Sequence, residues 1–281
     1  MYLGKQTEWL LKNMPELTNV KYTAYGPVCM SNALNVAAQA VGDGLTNTCL
    51  VLKAWHNLEG RYYQGGKNAA NEIDGTSAIR NIWGAPASYG TALQFAEYCR
   101  KYGKTHDMMA PFAINETRNG LMFPEGFFYQ HRPEPLTYED YVNARWIVKP
   151  LNLYDHDMPI QTAAAYLFTT AERAKDMKQR PVYVLNHAST YPNFKIRQTL
   201  ENAEASTDAT GRKLAQGSGM NTRDLDLENM YDGFLTFHNY FLEGLGWRGI
   251  GRGDALHFYQ GDISIEGPNP VSSSGGNRGS G

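Results

Sequence analysis

A helix and a strand made almost wholly of small and apolar residues constrain this chain most. Val28–Val41 carries Leu34, Ala37, Ala38 and Val41 on one helical face, and its short side chains let neighbours pack very close. Gly42 and Gly44 end it. Thr48–Ala54 follows as an unbroken apolar run, the pattern of a strand buried on both faces. A short strand at Val20–Ala24 and the turn Gly26-Pro27 precede the helix. Strand, helix, strand predicts an α/β layer.

The same pattern returns late in the chain. Ala163–Phe168 reads as a strand, Thr169–Glu172 as a capping box opening a short helix, and Pro181–Asn186 as a strong strand. Leu200–Gln216 reads as a helix in spite of Gly211. Near the start, residues 2–13 read as a helix that ends before Pro15. From about Trp55 to Asp155, aromatic, Gly, Pro and charged residues mix without a long period. Helices are predicted there at Ala92–Lys101 and Thr137–Trp146, the second with the N-cap pattern Thr137-x-x-Asp140. A stretch this long is not a bare loop, so an inserted domain is expected. The expected division is 1–56, 57–155 and 156–281.

With 281 residues, 42% of them hydrophobic, the chain can bury a substantial core. A formal net charge of −2 gives no sign of a nucleic-acid or membrane surface. No apolar run reaches the ~18 residues of a membrane-spanning helix. Cys29, Cys49 and Cys99 lack metal-ligand spacing and are too few for a disulfide framework, which makes a reducing cytoplasm the expected setting. The chain opens inside an amphipathic helix and stops in a glycine run, so a fragment of a longer protein is expected.

Two stretches carry the candidate chemistry. In Met230–Trp247, Phe234, Phe237, Phe241 and Leu245 form an apolar helical stripe, with Tyr231 and Asp232 at the helix N-terminus. Unpaired N–H groups and the helix dipole favour developing negative charge there, and a phenol could donate to an oxyanion. Asn269–Gly281 has the glycines that allow a backbone to pass close to a ligand. His238, seven residues after Tyr231, shares its helical face or packs in the core. His56 and His187 stand at strand ends, and Arg61, Tyr62 and Tyr63 suit a phosphate or adenine as well as a surface loop. Phe127–His131 lines a pocket or forms a local core, and Glu266 has no evident partner.

Leu34–Gly44 with Cys49–Ala54, Lys149–Asp155 followed by Thr162–Phe168 and Ala171–Ala174, Tyr231-Asp-Gly-Phe234 with Leu242–Gly246, and Pro270–Gly276 occur in the order found in thiolases. The chain resembles the thiolase superfamily in its thiolase-like, sterol-carrier-protein branch. The resemblance implies a thiolase fold: two strand-helix layers related by a pseudo-twofold, with a loop domain inserted in the first. It implies an acyl-CoA thioester as substrate, no cofactor beyond the coenzyme A it carries, no metal, and a homodimer. A nucleophilic cysteine would stand near Pro27, two residues from Cys29. An Asn of the family's motif is replaced by Tyr231, and no Gly-His-Pro follows Gly275-Gly276. The implied function is thiolase-like acyl transfer at the carbon–carbon bond of a CoA thioester. Two alternatives are retro-aldol cleavage of a β-hydroxyacyl-CoA using tyrosine in place of cysteine, and a catalytically silent subunit. The resemblance places Tyr231, Cys29 and His238 as catalytic candidates, and Gly275, Gly276, Ser274 and His56 as substrate-binding ones. It also implies a small zinc-ribbon/OB-fold partner.

Overall fold

The computed structural model describes residues 4–21, 23, 30–55, 88–158, 160, 162–190 and 199–280. In chain order, the elements used below are α1 (Gly4–Asn13), α2 (Met30–Gly42), β1 (Thr48–Trp55), α3 (Ser88–Tyr102), α4 (Ala110–Gly120), α5 (Phe127–His131), α6 (Tyr138–Val142), β2 (Trp146–Val148), β3 (Leu151–Asn152), β4 (Thr162–Thr169), α7 (Ala171–Ala174), α8 (Leu200–Ser218), α9 (Leu235–Leu245), α10 (Ala255–Phe258) and α11 (Gly276–Ser280). The chain divides into two compact units, Met1–Asn57 with Gln161–Ser189 and Leu58–Ile160 with Thr190–Gly281.

In the first unit β1 and β4 pair antiparallel, from Thr48 opposite Thr169 to Trp55 opposite Thr162. Helix α2 lies against both strands. Ala37, Ala40 and Val51 are buried, so the small-residue helix packs closely on the strand as its composition predicts. Burial on both faces of β1 does not hold among the described residues. Leu50 is 50% exposed and Leu167 57%, because side chains alternate across a strand and α2 covers one face only. Residues 181–190 form no strand, and Val182 is 94% exposed. Strand propensity needs a neighbouring strand to act on, and among the described residues no strand is laddered to this segment. Thr170, one residue later than expected, caps α7 by accepting from the Arg173 N–H.

The second unit is mostly helical, around Phe95, Tyr98, Phe112, Tyr141, Leu235, Leu242, Trp247 and Tyr259. The Thr137–Asp140 capping box is present, but α6 stops at Val142 and Trp146 belongs to the short β2–β3 ladder. Helices α8 and α9 cross at two glycines. A Cβ on Gly211 would lie 2.1 Å from the Gly244 carbonyl oxygen, which explains a glycine inside a helix that its propensity disfavours.

Helix α9 corrects the expected stripe. Its buried positions include Leu235, His238, Asn239 and Leu242, while Phe241 is 38% exposed and Phe234, Phe237 and Leu245 are half-buried. The face turned inward is partly polar, and His238 and Asn239 on it both find hydrogen-bond partners. Gly246 closes the helix in the left-handed conformation (φ 67°). Among the described residues no helix is long and apolar enough to cross a membrane.

Candidate active site

Helix α9 begins at Leu235 with Phe234 as its N-cap. Tyr231 and Asp232 therefore lie before the helix, in an extended segment, and not in its first turn. Phe234 bridges His156, and the Asp157 N–H donates to the Gly233 carbonyl (3.2 Å). Segments 152–157 and 231–234 thus run side by side. Tyr231 is 52% exposed, and its ring stacks on Phe237 at a centroid distance of 6.0 Å. The ring folds back over Gly233, where a Cβ would meet the phenol oxygen at 2.1 Å. A side chain at 233 would displace the tyrosine ring from this position.

Glu228, three residues upstream, ties this segment to the second candidate stretch. Its carboxylate accepts from the Met230 N–H (2.8 Å), the Ser272 N–H (2.7 Å) and His238 Nε2 (2.9 Å). Burial alone would raise the Glu228 pKa. The His238 ring and the two backbone donors outweigh it, and the carboxyl is held below its ordinary value. His238 is fully buried; its other ring nitrogen meets the Tyr259 hydroxyl at 2.7 Å, and Phe112 covers its face at 4.2 Å. Both ring nitrogens are thus engaged by protein groups, the packed arrangement of the two readings that the sequence left open.

Asp232 is buried. Its two oxygens accept the N–H groups of Asn277 (2.9 Å) and Arg278 (3.0 Å), holding the first turn of α11. The Arg278 side chain is also buried. It donates from Nε to the Tyr154 carbonyl (2.9 Å) and lies between the rings of Phe128 and Tyr154. Glu116 on α4 completes the cluster: it is fully buried and accepts the Ser272 hydroxyl at 2.9 Å. Burial, and then the neighbouring Asp232 carboxyl, push the Glu116 pKa well above the ordinary range.

The glycine run is structured by this cluster. Residues 270–275 form no strand and lead directly into α11. Ser272 sits in the left-handed region (φ 47°), which costs about 1 kcal/mol or more for a residue with a Cβ. Its N–H, hydroxyl and carbonyl are all engaged, the carbonyl by Asn119 Nδ2 at 3.1 Å. Gly275 and Gly276 were expected to let the backbone approach a ligand. In the structure both glycines let the backbone approach protein closely. A Cβ on Gly275 would lie 2.5 Å from the Gly120 nitrogen, and one on Gly276 2.3 Å from Asp232 Oδ2. Ser274 is exposed; its N–H donates to Asn229 Oδ1 and its hydroxyl accepts from Gly276.

Cys29, His56, Arg61, Tyr62 and Tyr63 lie outside the described residues. His187 belongs to the unit that carries β1 and β4. Phe128 packs on Arg278 as local core, and Glu266 pairs with Arg118 through both carboxylate oxygens (2.9 and 2.8 Å). Glu116, Glu228, Arg278 and Ser272 were not singled out from the sequence. A charged residue within an apolar helical period, as Glu116 is within α4, was the available signal. His156 was also missed. Its Nδ1 bonds the Asn152 carbonyl (2.8 Å), its buried Nε2 has no partner among the described residues, and desolvation lowers its pKa.

No protein-family model matches the chain. Among curated relatives, a 17-hydroxy-3-oxo-4-pregnene-20-carboxyl-CoA lyase of Mycobacterium tuberculosis is 28% identical, over 94% of this chain and 70% of its own length. A steroid side-chain-cleaving aldolase of Thermomonospora curvata is 26% identical, over 94% and 69%. An acetyl-CoA acetyltransferase of Methanothermobacter thermautotrophicus is 25% identical, over 95% and 68%. Among solved structures, an Ltp2-ChsH2(DUF35) aldolase superposes with TM-score 0.74 at 26% identity, over 88% of this chain and 64% of that one. A monomeric SCP2-thiolase-like protein type 1 of Mycobacterium smegmatis superposes with TM-score 0.61 at 12% identity, over 88% and 48%. The chain thus spans somewhat under two thirds of the aldolase chain it superposes on. Its fold is the α/β thiolase-like fold, and it resembles the thiolase-like branch that contains these aldolases.

Proposed function

We propose that this chain is part of a thiolase-fold retro-aldolase that cleaves the side chain of a β-hydroxyacyl-CoA, with Tyr231 as its acid–base or hydrogen-bond donor group. This replaces acyl transfer as the leading reading, because the relatives matched at 28% and 26% identity are a lyase and an aldolase. The observation that carries the assignment within the site is the contrast between two candidates. Tyr231 is half exposed, on a segment fixed by buried carboxylates, whereas His238 is sealed.

In the reaction the β-hydroxyl loses its proton to a base as its C–O bond becomes a carbonyl. The Cα–Cβ bond breaks, and its electron pair moves into the thioester enolate, which is protonated at Cα. The products are an aldehyde or ketone and a shortened acyl-CoA. No thiolate and no free coenzyme A are consumed. Stabilising the enolate oxygen requires a positioned donor, and a phenol supplies one. A homodimer and a small zinc-ribbon/OB-fold partner helping to hold the coenzyme A complete the proposal. The superposed aldolase is itself named for two components, Ltp2 and ChsH2.

The test is to incubate the full-length protein, with a candidate zinc-ribbon partner, with a β-hydroxyacyl-CoA in the absence of free coenzyme A. Release of a carbonyl product supports the retro-aldolase. Turnover that requires added coenzyme A and traps an acyl-cysteine identifies a thiolase instead, and complex formation without either activity identifies the silent subunit.

A further inference from the structure

Tyr231 is carried by an extended segment that runs beside residues 152–157. That neighbour is too short to hold itself: β3 has two residues, and a single turn, Leu153–Asp155, follows it. A buried cluster outside the site already described supplies the anchor. The Asp155 carboxylate accepts the Asn152 N–H (2.6 Å) and the Tyr141 O–H (2.5 Å), and His106 Nε2 stands 2.7 Å from it. A carboxylate only accepts, so Nε2 carries a hydrogen and donates it. Burial, and then the Asp155 charge, push the Tyr141 pKa well above its ordinary value, so the phenol stays a donor. Tyr141 stacks on the His106 ring at 5.0 Å, and Trp146 meets that ring edge-on at 4.8 Å, which fixes its plane.

We propose that His106 is a positioning residue for Tyr231, acting through Asp155 and the 152–157 segment. The path is continuous. Asp155 holds the Asn152 N–H, and the Asn152 carbonyl receives His156 Nδ1 (2.8 Å). His156 bridges Phe234, and the Asp157 N–H reaches the Gly233 carbonyl (3.2 Å). The Tyr154 carbonyl of the same segment receives Arg278 Nε (2.9 Å), so the cluster steadies the second candidate stretch as well. Without the His106 hydrogen, Asp155 keeps the Asn152 and Tyr141 donors alone, and the turn that presents His156 and Asp157 loosens. The effect on turnover rests on the retro-aldolase reading; the anchoring of 152–157 does not.

The proposal is tested with His106→Gln and His106→Phe in the full-length protein. The glutamine amide replaces the Nε2 donor; phenylalanine keeps a ring against Tyr141 and Trp146 and removes the donor. Hydrogen–deuterium exchange at the Asp157 amide should be about tenfold faster in H106F than in wild type, and close to wild type in H106Q. H106F is expected to lower kcat about tenfold with KM little changed, and H106Q to restore most of that loss. In a Tyr231→Phe background H106F should cost far less, because a residue that acts through the phenol then has nothing left to position. A merely structural loss would be the same in both backgrounds. Unchanged exchange at Asp157 in a folded H106F overturns the anchor. Faster exchange with wild-type kcat, or equal losses in the two backgrounds, overturns the positioning role alone. A wild type without aldolase activity removes the retro-aldolase reading and the turnover role with it, while exchange still decides the anchor. If H106F does not fold, Tyr141→Phe, which removes only the hydroxyl given to the same carboxylate, is read in its place by the same measurements.

Discussion

His238 Nε2 and Glu228 Oε1 meet at 2.9 Å with both side chains withdrawn from solvent, and the same carboxylate oxygen receives the Ser272 N–H. One buried pair therefore connects the body of α9 to the turn that carries the glycine run. Replacing His238 by Ala leaves Glu228 buried beside two backbone donors but without its ring partner. Breaking a buried pair of this kind costs about 3 kcal/mol or more, which urea unfolding should register. Because the folded Glu228 pKa is lowered, its contribution is present above the ordinary value of 4.5 and is lost as pH falls through the folded value. Wild type should lose stability in acid below about pH 4.5, and Glu228→Gln should lose less over that window.

Tyr231→Phe should separate chemistry from folding. The ring keeps its stack on Phe237, and the side chain is half exposed. Melting should shift by no more than about 0.5 kcal/mol, while turnover of a β-hydroxyacyl-CoA should fall ~100-fold. A variant that melts and turns over like wild type removes Tyr231 from the mechanism.

Gly211→Ala should reverse the usual sign of that exchange. Alanine is the better helix former by about 1 kcal/mol. Its methyl, however, would enter the Gly244 carbonyl at 2.1 Å, and that obstacle is backbone on both sides of the α8–α9 crossing. Overpacking of this kind costs about 1–3 kcal/mol, so a net loss is expected in chemical denaturation.

Leu242→Ala and Phe241→Ala test which face of α9 is the core face. Leu242 is fully buried, and its truncation should cost about 2–5 kcal/mol. Phe241 is 38% exposed, and its truncation should cost well under half of that despite the larger side chain. Equal losses from the two would restore the stripe expected from the apolar residues alone.

That stripe shows where sequence reading reached its limit. Helices announced by period or capping residues were legible: α2, α3, α8, and the Thr137–Asp140 box of α6. Counting only apolar residues misassigned α9, because His238 and Asn239 are inside and become acceptable there only through Tyr259 and Glu228, partners 10 to 21 residues away. Pro181–Asn186 has strand composition, yet it forms no strand. In the site, Tyr231 and the glycine run were legible as places. Their roles were not, because Glu116 reaches Ser272 across 156 positions, a separation at which no local pattern carries information.

The same separation orders the events of synthesis. Glu116 and Asn119 are made long before Ser272, and Asp232 and Glu228 are made about forty positions before the donors that neutralise them, with separations of 44 to 46. Until residues 272–278 emerge, a nascent chain that had already collapsed around α4 and α9 would enclose Asp232 without its two backbone donors and Glu228 without one of its three. Such contacts between distant segments form late and slow folding. The buried carboxylates of the second unit thus acquire their full set of donors only when residues 272–278 dock against α4 and the segment before α9.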